Sequence, residues 1–177
     1  FSKLGISRQE SNIKWKGSKS NGSYHDGLIL IKDGFVTIEN NIIQTGEISI
    51  DMNSITCTDI QNVQSNKSLI SHLKNDDFFS VDKFPYSFLK INRVKHKKDN
   101  DYFIKADLTI KGITHPIEFF ANIQITSEGA LASGTMIIDR SKYEIKYKSK
   151  TWYENIGDRF IHDNFDLHFT LLAISKE

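Results

Sequence analysis

A regular alternation of apolar and polar residues runs through much of this chain. Within residues 102–110 every second side chain is apolar or aromatic, and the same alternation recurs within residues 117–125. In a β-strand successive side chains point to opposite faces, so this period is typical of strands with one buried face. The alternation is therefore the strongest constraint on the fold, and it predicts an all-β protein. It is repeated in three further segments, 13–16, 48–52 and 165–173.

Short polar turns separate the predicted strands. The Asp-Gly pair at 33–34 lies between the apolar segments 28–31 and 35–39, and Asp-Gly is a strong signal for a tight hairpin turn. Polar turns are also predicted at 97–101 and 127–129. We count seven to nine strands, and because their connections are short, most neighbours are expected to be antiparallel.

One segment departs from the period of two. Within residues 66–79, Leu69, Ile70 and Leu73 have helical spacing, and Ser68 is a suitable N-cap. We predict a short helix near residues 68–77, inserted between strands. Phe78 and Phe79 follow it and are expected to pack against the barrel as a plug.

Composition excludes several classes of protein. The 177 residues carry a net charge of +1, which argues against a dedicated nucleic-acid binder. No apolar run exceeds four residues, so we expect no transmembrane segment. The single Cys57 excludes an internal disulfide framework. We expect one domain over residues 1–177, and because the chain begins at Phe1 rather than Met, we expect a signal peptide to have been removed before it.

Strands with one apolar face each suggest a closed antiparallel barrel, because closure removes exposed sheet edges. An eight-stranded barrel is wide enough either to fill itself with side chains or to hold one small ligand. The pattern alone favours a side-chain core and leaves the ligand-holding alternative open.

Several longer strings go beyond this pattern. In order they are SNIKWKG at 11–17, followed by His25 and Gly27, then GEISIDMNSI at 46–55, LISHLKNDDFF at 69–79, FP at 84–85, DLTIKGITH at 107–115 and DRSKY at 139–143. In this order and spacing they resemble the YceI-like family. The resemblance extends over roughly residues 6–174, and the DLTIKGITH and HLKNDDFF strings are its most specific parts.

The resemblance implies an eight-stranded, extended antiparallel lipocalin-like barrel with the short helix inserted. Family members are mostly bacterial and periplasmic, and several enclose a long apolar ligand. It therefore implies a periplasmic or secreted protein that binds a polyisoprenoid, an isoprenoid-quinone precursor or a fatty amide, with no cofactor and no catalysis. The alternatives are a structural or stress-related barrel with a filled core and a lipid-modifying enzyme.

On this reading the inward-facing apolar residues form the ligand-binding wall, and polar residues at one end contact the head group. The expected head-group residues are His25, Arg140 and Tyr143. The expected wall residues are Trp15, Ile50, Met52, Phe79, Phe88, Ile104, Leu108, Phe119, Ile123, Met136, Ile138 and Phe169.

Other polar groups admit a second interpretation. His72 and Asp76 are four residues apart on the predicted helix, where they form either an acid–base pair or a helix-end hydrogen bond. His162, Asp166 and His168 share one strand face, which we expect to face solvent rather than bind a metal.

Two surface features are also expected. Lys142, Lys146, Lys148 and Lys150 predict a mildly basic stripe along a strand. Phe103 and Phe120 lie on an outward face and predict a patch through which two copies of the chain pair as a homodimer.

Overall fold

The computed structural model describes residues 2–153 and 155–175. It contains nine strands, one α-helix and a single turn of 3₁₀-helix at Arg140–Tyr143. The α-helix, α1, spans Val63–Lys74. The strands are β1 at Ser2–Ile6, β2 at Asn12–Ser18, β3 at Tyr24–Glu39, β4 at Ile42–Cys57, β5 at Tyr86–Lys98, β6 at Asp101–Ile110, β7 at Ile113–Ile125, β8 at Gly129–Asp139 and β9 at Asn164–Ile174.

The sheet closes into an eight-stranded antiparallel barrel, as predicted. Each strand from β2 to β9 pairs with the next along the chain, and β2 also pairs with β9. The short β1 lies between β3 and β9, as β2 does, but pairs with a different stretch of each strand. Leu4 of β1 is opposite Val36 of β3, and Gly5 is opposite Ile174 of β9. Among the described residues, every barrel strand from β2 to β9 pairs with a neighbour on both sides, which closes the sheet.

The first long hairpin differs from the prediction. Residues 28–39 belong to one strand, β3, and Asp33-Gly34 lies inside it. A register shift between Ile31 and Asp33 absorbs the irregularity as a β-bulge, so the chain bends without reversing. The reversal comes later, at Asn40 and Asn41, whose φ angles of 53° and 61° are the left-handed values of a tight hairpin turn.

The DLTIKGITH string contains a tight turn between two strands. Lys111 and Gly112 connect β6 to β7 with positive φ angles of 53° and 72°. Leu108 and Ile110 point into the barrel and are buried. Glycine suits the second position because it has no Cβ to clash in this conformation.

Helix α1 begins earlier than predicted. Its N-cap is Asn62 rather than Ser68, and the Asn62 side chain accepts a hydrogen bond of 2.9 Å from the backbone N–H of Ser65. The first turns were missed because they carry no apolar periodicity: Val63, the first helical residue, is 67% exposed. The apolar face begins only at Leu69, which packs with Leu73 over the end of the barrel.

The strand expected to carry the lysine stripe is absent. After the 3₁₀ turn, residues 144–153 contain no strand and run as turns across the same end of the barrel as α1. The outward patch is present: the Phe103 and Phe120 ring centroids lie 5.2 Å apart, and Phe120 is 62% exposed. Pairing of two copies through this patch stays a prediction.

Candidate functional site

The barrel encloses two adjoining apolar chambers. The large chamber, of about 180 Å³, lies at the end covered by α1, and the small chamber, of about 90 Å³, lies toward the opposite end. Four side chains line both and form the partition between them: Ile13, Ile50, Leu108 and Leu167. The two chambers together follow the barrel axis, with an almost entirely apolar lining.

A cap formed by α1 and the segments 75–85, 140–153 and 155–163 covers the large chamber. Leu69 and Leu73 of α1 face the chamber, as do Phe78 and Phe79 from the turn that follows the helix. Phe78 is buried, and its ring contacts the ring of Tyr147 at 5.4 Å between centroids. The plug predicted for Phe78 and Phe79 is therefore confirmed.

Most of the expected wall residues line one chamber or the other. Those in the large chamber are Trp15, Met52, Phe79 and Ile138, together with Ile50 and Leu108 of the partition. Those in the small chamber are Ile104, Phe119, Ile123, Met136 and Phe169. The sequence alternation thus identifies the interior face of nearly every strand.

The prediction that Phe88 belongs to the ligand-binding wall is wrong. Phe88 is 47% exposed on the outer face of β5, opposite Ser49 on β4 and Thr109 on β6. Its neighbour Ser87 takes the inward position instead, and the Ser87 hydroxyl donates to the Met52 sulfur at 3.1 Å. The strand begins with large residues on its outer face, so side-chain size alone points to the wrong side.

His25 lies at the large chamber and is held by an acidic side chain. Its Nδ1 is 2.8 Å from Oδ2 of Asp59, whose other oxygen accepts from the Cys57 thiol at 3.0 Å and from the backbone N–H of Asp26 at 2.9 Å. Burial tends to raise the pKa of Asp59, but the hydrogen bonds from Cys57 and His25 outweigh it and lower that pKa to about 2. The carboxylate therefore stays ionised and fixes the orientation of the imidazole.

Arg140 also lines the large chamber and is 4% exposed. It donates through Nη1 to the carbonyl of Ile145 at 2.8 Å, through Nη2 to that of Ile161 at 3.0 Å and through Nε to that of His162 at 3.2 Å. Burial lowers the pKa of the guanidinium, and the charge of Asp163 opposes this shift. Within the cap, Arg140 thus links the 3₁₀ turn to the backbone at residues 145, 161 and 162.

Tyr143, the third expected head-group residue, does not reach either chamber. It is 1% exposed and packs edge-to-face against His115, with ring centroids 5.2 Å apart. Burial raises its pKa to about 12, with a further contribution from the charge of Asp139. His115 and Lys111 bind backbone carbonyls of Lys142 and Glu144, so this group anchors the cap to the β6–β7 turn.

The expected pairing of His72 with Asp76 is also incorrect. His72 Nε2 lies 2.9 Å from Oδ2 of Asp77, while Asp76 accepts from the Ser80 hydroxyl at 2.6 Å. The chain leaves the helix at Asn75, which carries Asp76 off the face that His72 occupies. His72 packs between the rings of Phe78 and Tyr147, which makes it part of the cap.

Sequence reasoning missed the polar residues that border the large chamber. Lys19 and His162 both line it while being exposed to solvent, so together with His25 they define its mouth. Lys19 pairs with Ile161 in an isolated β-bridge, and the backbone N–H of His162 donates to the backbone carbonyl of Ser18 at 2.9 Å. These contacts join parts of the chain that are far apart in sequence. Because the segments involved are irregular, no local periodicity predicts that they meet.

Over residues 2–153 and 155–175, no group of three or more His, Cys, Asp or Glu side chains is arranged to hold a metal ion. His168 Nδ1 is instead 2.9 Å from the Thr135 hydroxyl. In the same part of the chain, no helix is long and apolar enough to cross a membrane.

Solved structures with the same architecture are available. The protein is similar to BcnA of Burkholderia cenocepacia, with 16% identity and a TM-score of 0.75 over 95% of this chain and 99% of that one. It is also similar to a polyisoprenoid binding domain of Saccharophagus degradans, with 14% identity and a TM-score of 0.73 over 98% of each chain. At these identities the likeness concerns the fold.

Sequence comparison adds bacterial relatives and a family. A UPF0312 protein of Vibrio vulnificus is 30% identical over 104 residues, which is 55% of this chain and 52% of that protein. The chain thus matches about half the length of this relative. The family model of the YceI-like domain matches residues 5–173. The chain belongs to the YceI-like domain family.

Proposed function

We propose that this protein binds a long apolar lipid along the barrel axis and carries or sequesters it without chemical change. The observation that carries the proposal is the continuity of the apolar lining through both chambers, with polar side chains gathered at the mouth. Such a shape fits a single extended chain with one polar end. The polyisoprenoid binding domain of Saccharophagus degradans, which has the same fold, points to the same class of ligand.

The driving force is burial of hydrocarbon. Each methylene that leaves water contributes about 0.8 kcal/mol, so a chain of several isoprene units can offset the cost of association. Leu108 and Ile50 lie at the partition and touch both chambers, so a long chain would pass between them. The polyisoprenoid, quinone-precursor and fatty-amide alternatives all meet this requirement.

Binding is a better account of the His25–Asp59 pair than catalysis. The nucleophilic side chain of Cys57 contacts this pair, but it donates its thiol proton to Asp59. Burial, with the hydrogen bond to Asp59, raises the pKa of the Cys57 thiol, which keeps it protonated near neutral pH. We propose that the pair orients His25 toward a ligand and activates no nucleophile.

Adjacent residues on β7 provide a matched test. Phe119 is 7% exposed and lines the small chamber, whereas Phe120 is 62% exposed on the outside. We expect Phe119→Asp to abolish binding of geranylgeraniol in equilibrium dialysis and Phe120→Asp to leave it unchanged. Circular dichroism would establish that both variants are folded. A folded Phe119→Asp protein that binds like the wild type would contradict the interior site.

A second variant without a charge is needed, because a buried charge is costly and can unfold the barrel. Ala132 lines the small chamber and is only partly buried, so Ala132→Phe would fill space without introducing charge. We expect it to weaken geranylgeraniol binding at least tenfold. Leu131→Phe on the outer face, where Leu131 is 38% exposed, is the control.

We also propose that the protein works in the periplasm or is secreted, as the family resemblance implies. Osmotic-shock fractionation of the native source would test this. Recovery with cytoplasmic markers would contradict it.

A further inference from the structure

The basic side chains at the large chamber suggest the charge of the ligand. Four residues with basic side chains line this chamber: Lys19, His25, Arg140 and His162. Among the described residues of the lining there is no Asp or Glu. The remaining lining is apolar apart from Gly17 and the hydroxyls of Ser18 and Ser87. The interior surface of the chamber is almost entirely apolar, so the basic groups of these residues border the cavity rather than face its interior.

These four residues lie close together because backbone pairing joins their segments. His25 on β3 is opposite Gly17 on β2. Gly17 precedes Lys19 by two residues. Lys19 in turn pairs with Ile161, next to His162, whose carbonyl accepts from Arg140. The cluster thus forms one polar side of the mouth.

Two of the four basic residues have an acidic neighbour, Asp59 for His25 and Asp163 for Arg140. Over residues 2–153 and 155–175 neither Lys19 nor Arg140 takes part in an ion pair, and the three hydrogen bonds of Arg140 go to neutral carbonyls. Asp59 holds His25 through Nδ1 from outside the chamber lining. Asp163 acts on Arg140 electrostatically, and its own oxygens accept from Ser149 and Thr151.

We infer that the lipid held in this barrel carries an anionic head group, a carboxylate or a phosphate, which lies at the mouth between Lys19, His25 and His162. An anion there gains attraction in a partly desolvated site, where charges are less screened than in bulk water. A cationic head group meets repulsion at the same place. This inference rests on the proposed function, since it names the class of lipid.

The test compares four amphiphiles that share one apolar chain: geranylgeraniol, geranylgeranyl amine, geranylgeranoic acid and geranylgeranyl phosphate. Dissociation constants from equilibrium dialysis at low ionic strength should be at least tenfold lower for the acid and the phosphate than for the alcohol, and the amine should bind most weakly. The anion with the lower dissociation constant, the acid or the phosphate, is the one that the site prefers.

Variants of the mouth locate the effect. Lys19→Gln and His162→Gln are each expected to reduce the ratio of the alcohol dissociation constant to the anion dissociation constants at least threefold. Lys98→Gln, at the far end of β5 and exposed, is the matched control and should not alter this ratio. Arg140 is not a suitable probe because its substitution disturbs the cap.

The possible outcomes separate the two proposals. Equal binding of all four amphiphiles, or tightest binding of the amine, overturns the anionic head group and leaves lipid binding standing. An anion preference that survives both mouth substitutions overturns the assigned position. Failure of all four to bind overturns the proposed function together with the inference.

Discussion

The indole N–H of Trp15 on β2 donates a 2.9 Å hydrogen bond to the carbonyl oxygen of Thr56 on β4, across the intervening strand β3. The side chain can cross because Gly27 on β3 is paired with Trp15 and presents no side chain. A Cβ at Gly27 would lie 1.7 Å from the Thr56 oxygen and 2.7 Å from the indole nitrogen. Three strands are thereby locked together beside the large chamber.

Gly27→Ala should therefore destabilise the barrel. We expect a loss of about 1 to 3 kcal/mol in the free energy of unfolding, as for overpacked cores, because both the Thr56 backbone and the indole must move. Urea denaturation followed by circular dichroism measures this. Gly17→Ala is the control, since a Cβ there meets no atom within 4 Å. Equal stability of the two variants would refute the crossing.

Arg140 should contribute to stability through the three carbonyls that it satisfies. Arg140→Met keeps an unbranched side chain but leaves those acceptors without their donor, and each unsatisfied buried group costs about 1 to 3 kcal/mol. We expect a loss of at least about 2 kcal/mol in urea denaturation. Arg93→Met, at an exposed position on β5, should change little. If the two variants lose the same amount, Arg140 does not hold the cap.

Asp59 should make stability depend on pH in acid. Its folded pKa of about 2 lies below the ordinary value of 3.8, so the ionised carboxylate stabilises the folded state above about pH 4. That stabilisation, about 2 kcal/mol, is lost as the pH falls from about 4 to about 2. Asp59→Asn lacks it at every pH. The difference in unfolding free energy between the two proteins should shrink across this range, and a constant difference would contradict the assigned pKa.

The partition between the chambers should set the length of chain that binds. Leu108→Phe places a larger side chain where the two chambers meet. We expect geranylgeraniol to bind at least tenfold more weakly, while the shorter farnesol, which can remain in the large chamber, loses less than threefold. Farnesol serves as the internal control in equilibrium dialysis. Equal losses for both lipids would show that the chain does not pass the partition.

Much of the barrel could be predicted because local sequence determines which face of a strand is buried. Phe119 and Phe120 illustrate this, since adjacent residues of the same type are assigned to opposite faces by the alternation around them. A turn such as the one at Lys111-Gly112 can also be predicted from sequence, because the steric reason for a glycine at a tight turn is local.

The errors arise where long-range pairing decides. Asp33-Gly34 has the local chemistry of a turn, but pairing with β4 keeps it within a bulged strand. Phe88 is large and aromatic, yet its register opposite Ser49 places it outside. Lys19 and His162 meet only through contacts between irregular segments, so no spacing in the sequence could bring them together.

Lipid binding is most directly tested by extracting the purified protein with organic solvent and analysing the extract by mass spectrometry. The structure and the family together lead us to expect one long-chain lipid in stoichiometric amount, with an acidic head group. An extract without lipid, obtained again after incubation with total lipids of the native source, would contradict the account and favour a barrel filled by its own side chains.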